Sequence, residues 1–187
     1  MVSNLQQYKT SPLHRTIITF CVPSVDIQAT DNDSSYGNEL ASLTSSVLNY
    51  RHENGRRYHG YRDGSYLLPN DDAESDRLDM IHKMTLTIME RKLFLAPIGP
   101  APQRVIDIAT GTGIWAIDFA DQYPSAEVIG NDLSPTQPFM VSPNLKFLVD
   151  DIEAEWVYEN NPFDFIHARY LAYSIKGYNK LLRQCFK

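Results

Sequence analysis

Cysteine is nearly missing from this chain: Cys21 and Cys185 are the only two among 187 residues. Two thiols so far apart cannot build a disulfide framework, and neither has the paired spacing of a zinc site. A reducing, intracellular compartment, cytoplasm or nucleus, is the expectation, and no metal centre. Long apolar runs are missing too. A membrane-spanning helix needs about 20 mostly apolar residues, whereas the apolar run at residues 16–22 is only a third of that. That run follows Lys9, His14 and Arg15 but leads into Pro23-Ser24-Val25-Asp26 without a small-x-small cleavage pattern, so it is not read as a signal peptide. Excess positive charge is also absent. The 17 Lys and Arg against 23 Asp and Glu leave a net charge of −6, which opposes generic attraction to a phosphate backbone. Neither nucleic acid nor a membrane is an expected partner.

What is present is the composition of a folded domain, 43% hydrophobic and 21% charged, at a length suited to one core plus an extension. From residue 24 to 46 the chain is rich in Ser, Thr, Asp and Asn with Tyr36 as its only aromatic, too little apolar area to offset chain ordering. Residues 1–45 are therefore read as a flexible leader, 46–100 as an N-terminal cap, and 101–187 as the ligand-binding domain. Within the cap, Arg51, Arg56, Arg57 and Arg62 interleave with Tyr58, His59, Tyr61 and Tyr66. This is read as a solvated, partly packed loop, with a lid over a small-molecule pocket as the alternative.

Asp71-x-x-Glu74 has the spacing of a helix N-cap. Leu78, Ile81, Met84 or Thr85, Ile88, and Lys92 or Leu95 then recur every three or four residues. They predict a helix over about 71–95 whose apolar, methionine-bearing stripe packs on the core and which Pro97 stops. After Gln103, β-rich segments at 104–108, 127–130, 145–149 and 163–167 alternate with helical patterns at 114–122 and 179–186. Strands separated by crossovers indicate an α/β, doubly wound, Rossmann-like parallel sheet covered on both faces. Residues 135–143 are too proline-rich for a crossover helix and predict a short, irregular link.

The chemistry centres on residues 105–116, which read strand, glycine turn, helix. Gly111 and Gly113 can take positive φ and let a ligand lie against the main chain, while the helix from Ile114 offers free N–H groups. Asp132 ends the next strand, 21 residues beyond Gly111, where a carboxylate accepts from a ribose diol. Asp150 and Asp151 end the third strand, where one can accept from an adenine amino group. Gly111-x-Gly113-x-x-Ala116 formally meets the NAD fingerprint. Asp107 argues for a different cofactor, S-adenosylmethionine: a carboxylate beside a diphosphate opposes binding, but it suits a ligand that carries an ammonium, a sulfonium and no phosphate.

Asp107-x-Ala109-x-Gly111-x-Gly113, Gly130-Asn131-Asp132-Leu133-Ser134-Pro135, Val149-Asp150-Asp151 and Phe163-Asp164-Phe165-Ile166-His167-Ala168-Arg169 resemble the fungal LaeA-like S-adenosylmethionine-dependent methyltransferases. The stretch from Gly64 through Tyr66, Pro69-Asn70-Asp71, Arg77-Leu78-Asp79 and His82 is similar to that group's N-terminal cap. The resemblance runs from about residue 46 to the end. It implies a class I fold and methyl transfer, in fungal secondary metabolism, to a small-molecule or protein acceptor. The cofactor would be held by Asp107, Ala109, Thr110, Gly111, Gly113, Asp132, Leu133, Asp151 and Ile152. Tyr58, Tyr66 and Arg77, with His82, would form a lid. His167 and Arg169, at the exit of the fourth strand, are where a proton acceptor or an acceptor-orienting group would sit; a purely structural histidine is the competing reading.

Two residues depart from the family pattern. Ala109 stands where these enzymes usually have glycine, a small change if φ there is negative, and Asn131 precedes the ribose acid. Complete enzymes of this fold continue through further strands beyond the position of Lys187. The reading of this chain is thus a truncated member, its fourth strand left as an apolar edge for a partner chain to cover, with cofactor residues retained and activity impaired. A non-catalytic, cofactor-binding regulatory module is the competing function class, and an NAD-binding protein the third.

Overall fold

The computed structural model describes residues 16–18, 47–62, 64–158, 161–171 and 174–186. In chain order these form β1 (Thr16–Ile18), β2 (Arg51–Glu53), β3 (Arg56–Tyr58), α1 (Asp72–Ile88), β4 (Arg104–Ile108), α2 (Ile114–Gln122), β5 (Glu127–Asn131), β6 (Leu145–Leu148), β7 (Phe165–Ala168) and α3 (Tyr178–Cys185).

The sheet runs β1-β7-β4-β5-β6, every pair parallel. Central strands in such a sheet are buried on both faces, and β4, β5 and β7 accordingly have almost no exposed residue. Alternation then assigns each side chain to one face. Val105, Val128 and Phe165 pack with Trp115, Ala116 and Phe119 of α2, whereas Ile106, Ile108, Ile129 and Ile166 pack with Leu181 and Cys185 of α3. The α/β doubly wound fold expected from the strand and helix pattern is the one observed. From β4 the chain adds β5 and β6 on one side, then crosses to place β7 on the other. That reversal opens a crevice at the carboxyl ends of β4 and β7, where ligands of open α/β sheets bind.

Four expectations need correction. Thr16–Ile18, placed by sequence within a flexible leader, is a strand, and it pairs with β7 in the register Thr16↔Phe165 to Ile18↔His167. The edge assigned to a partner chain thus carries the chain's own β1; the rest of the leader lies outside the described residues. The Arg- and Tyr-rich segment is an antiparallel hairpin, β2 with β3. Its turn is Asn54-Gly55, both at positive φ (49° and 76°), the backbone that matches strand twist in a two-residue hairpin. The cap helix ends at Ile88, well before Pro97, because Glu90 and Arg91 adopt positive φ while the Arg91 N–H turns back to the Leu86 carbonyl. Its methionine face is no core stripe: Met84 is 57% and Ile88 79% exposed, and the buried residues of α1 are Glu74 and His82. The helix lies across the crevice, so the side it turns inward, with Glu74, Leu78, Ile81 and His82, lines a cavity and not a packed core. Among the described residues no helix is long and apolar enough to cross a membrane.

Candidate functional site

The crevice holds a cavity of about 540 Å³, within the size range of small-ligand pockets. Its floor is the glycine turn after β4, its far wall the ends of β5 and β7, and its roof α1 with the segment before it.

The turn is clamped from two sides. Asp132 Oδ2 accepts from the Gly111 N–H (2.8 Å) and its Oδ1 from the Ser134 N–H (3.0 Å). Gln137 Nε2 donates to the Gly111 carbonyl (2.6 Å) and to the Ser134 carbonyl (2.9 Å). The Gly113 N–H is used by the Thr110 carbonyl (3.0 Å). Two of the amides that a phosphate cradle would need are therefore already committed. Burial in the cavity wall pushes the Asp132 carboxyl up to about 7, with those two N–H groups pulling the other way and the charge of Asp107 adding to the rise. Gly113 (φ 81°) packs against Phe147, whose ring a Cβ there would meet head-on. Ala109 has φ 59°, so the condition under which alanine would be a small change is not met: the turn needs a left-handed residue at this position, and alanine takes it under strain.

Parallel register sets Asp107 of β4 beside His167 of β7. Asp107 Oδ1 accepts a hydrogen bond from His167 Nδ1–H (2.6 Å), and Oδ2 accepts from the Thr110 hydroxyl (2.6 Å). The His167 ring lies flat on Trp115, centroids 3.6 Å apart and planes 4° apart, and the indole is fixed by its own bond to the Leu93 carbonyl (2.8 Å). Burial lowers the His167 pKa against the opposing pull of Asp107. The neutral ring donates at Nδ1 and keeps its lone pair at Nε2.

Next along the wall, Arg169 Nη2 donates to His82 Nδ1 (2.6 Å), and His82 Nε2 meets Asp118 Oδ2 (3.0 Å). Burial lowers the His82 pKa, outweighing Asp118. In the roof, Arg77 donates two hydrogen bonds to the Glu74 carboxylate (2.8 and 2.5 Å), and Asn70 Nδ2 donates to Ser134 Oγ (3.0 Å), tying the cap to the loop after β5.

Of the residues named from sequence, the cavity brings together Asp107, Ala109, Thr110, Gly111, Asp132, Tyr66, Arg77, His82, His167 and Arg169. Five lie elsewhere. Gly113 sits behind the turn against Phe147, and Ile152 is sealed in the core under α3. Leu133 packs with Val47 and Val149. Asp151 is held by Arg62 (2.6 Å) and the Glu153 N–H, and Tyr58 lies under Arg51 on the hairpin. Sequence reasoning missed Trp115, Glu74 and Gln137. An indole two residues after a glycine turn and an amide between two prolines shortly after Asp132 were the available signals. Among the described residues no group of three or more His, Cys, Asp and Glu has an arrangement to hold a metal ion.

Comparison with known proteins bears on residues 80–187, which match the family model of a methyltransferase domain. The chain is 50% identical over 163 residues to methyltransferase pytC of Aspergillus terreus, covering 87% of this chain and 49% of that protein. To the secondary metabolism regulator laeA of Aspergillus flavus it is 41% identical over 157 residues, 83% of this chain and 42% of the other. To the protein-methionine methyltransferase laeA of Emericella nidulans it is 40% identical over the same shares. The chain thus spans about half the length of the curated relatives it matches. No solved structure gives a significant match.

Proposed function

This chain belongs to the methyltransferase-domain family, in its LaeA-like group, and from that premise we propose that it binds S-adenosylmethionine in the crevice and transfers its methyl group to an unidentified acceptor. The observation that carries the choice of cofactor is the state of the glycine turn. Gly111 and Gly113 already give their N–H groups to Asp132 and Thr110, and Asp107 and Asp132 line the cavity beside them. A diphosphate would meet spent donors and two acids. A ligand with hydroxyls and an ammonium finds acceptors there instead, since each carboxylate oxygen can take a further bond.

Asp132 would hold the ribose hydroxyls and Asp107 the ammonium, with Ala109 and Gly111 supplying backbone against which the ligand lies. When bound, the cofactor supplies an electrophilic methyl group on a good leaving group, so positioning accounts for most of the acceleration. The chain's own contribution is to orient the acceptor and, where the acceptor carries a proton, to take it. His167 has the arrangement for that step: Nδ1 anchored on Asp107, ring held by Trp115, lone pair at Nε2. Leu78 and Ile81 of α1 close the apolar side and exclude water. Residence inside the cell, cytoplasm or nucleus, is part of the same reading and is supported by the two widely spaced cysteines, of which Cys185 is a buried free thiol.

The test is transfer of a labelled methyl group from S-adenosylmethionine to small-molecule and protein fractions by the full chain, beside His167→Asn. Label incorporation that falls at least about tenfold in the variant while cofactor affinity is kept supports the reading. Tight cofactor binding with no transfer to any fraction would instead support a non-catalytic, regulatory module.

A further inference from the structure

Arg169 has one arm of its guanidinium in use and one idle. Nη2 donates to His82, while Nη1 is buried and has no hydrogen-bond partner among the described residues. Two carboxylates of the surrounding network are already engaged, Asp118 by His82 and Asp107 by His167 and Thr110. The two imidazoles between them are kept neutral by burial, with the charge of Arg169 pressing the same way on each. The result is a permanent cation in a cavity wall without a direct counter-ion among the described residues.

Such a group is costly to desolvate and is stabilised when an anion meets it. Guanidinium is shaped for a carboxylate, which it binds through parallel N–H donors. The segment that presents it is also constrained. Tyr170, the next residue, has φ 69°, and its hydroxyl is bonded to Thr85 Oγ1 of α1 (2.9 Å). The side chain of Arg169 itself is held by its bond to His82.

We propose that Arg169 Nη1 is the receptor for a carboxylate-type oxyanion carried by a ligand of this cavity. The methyltransferase reading enters only in naming the two ligands that can bring it, the α-carboxylate of the methyl donor or an acidic group on the acceptor.

The test is calorimetric titration of the full chain, wild type, Arg169→Met and Arg169→Lys, with three probes: S-adenosylmethionine, its decarboxylated form, and benzoate added to free and to donor-loaded protein. A donor preference over the decarboxylated form of at least about tenfold in the wild type, lost in Arg169→Met, supports the proposal with the donor as the source. Equal binding of the two donors, together with benzoate binding that disappears in Arg169→Met, supports it with the acceptor as the source. Arg169→Lys keeps the charge without the fork and falls between wild type and Arg169→Met in either case; it carries the comparison if the methionine variant does not fold. Binding of all three probes within about twofold of wild type in a folded variant overturns the proposal and leaves Arg169 as a support for His82. If no donor binds the wild type, the cofactor reading fails, and benzoate with free protein still decides the role of Arg169.

Discussion

Asp132 joins the two halves of the site, since the same carboxylate pins the glycine turn and faces the cavity. Its folded pKa of about 7 lies above the ordinary 3.8. Its contribution therefore favours the folded state below the unfolded value and is lost as pH rises through about 7. Ligand binding has the opposite sign, because ribose hydroxyls donate best to the ionised form. S-adenosylmethionine affinity should fall by up to about tenfold per pH unit below about 7, and Asp132→Asn should bind weakly with a flat profile; titration calorimetry across pH checks both. The turn itself gives a paired prediction. Gly113→Ala would drive a methyl group into Phe147 at a positive φ and should cost about 2 kcal/mol or more. Ala109→Gly relieves a strained φ and should gain up to about 1 kcal/mol. Urea unfolding of the two variants measures the difference.

At the scale of elements, the site depends on how α1 is seated over the sheet. Its N-cap, Asp71, accepts from the Glu74 N–H and is gripped by Arg56 of β3 through both oxygens (2.6 and 2.9 Å). The Arg56 bond holds its pKa well below the usual carboxylate range. The stabilisation is thus fully present above pH 3.8 and is lost as pH falls below it, so acid should release the hairpin from the helix, seen as an early drop in helical circular dichroism that Asp71→Asn removes. Asn70→Ala breaks the one buried bond from the cap to Ser134 and should cost about 1–3 kcal/mol, with weaker donor binding in the same titration. Much of this was readable beforehand. The N-cap at Asp71, β4 and α2 stand where periodicity and capping put them, because burial on two faces forces β-branched runs and a glycine turn forces the break between them. The hairpin was missed although Asn54-Gly55 announces it. The outward methionines were misread because a three-to-four repeat reports an amphipathic helix without saying whether its inward side meets a core or a cavity. The pairing of Asp107 with His167 joins residues 60 apart and exists only through strand register, which no local pattern encodes.

For the molecule as a whole, the order of strands makes the site. The reversal beside β4 puts an acid-bearing strand next to one that ends in His167-Ala168 and is followed by Arg169, and the two hydrophobic layers around Phe119 and Ile152 pack against those strands. The outcome is a crevice with acidic groups at the glycine turn and a cation at the far wall, the arrangement on which the proposed preference for a zwitterionic nucleoside over a diphosphate rests. The most direct test is a side-by-side calorimetric titration of the full chain with S-adenosylmethionine and with NAD. The account predicts saturable one-to-one binding of S-adenosylmethionine, weakened at least about tenfold by Asp107→Ala, and no saturable binding of NAD. Saturable NAD binding, or an Asp107→Ala variant that holds S-adenosylmethionine as tightly as wild type, would contradict it.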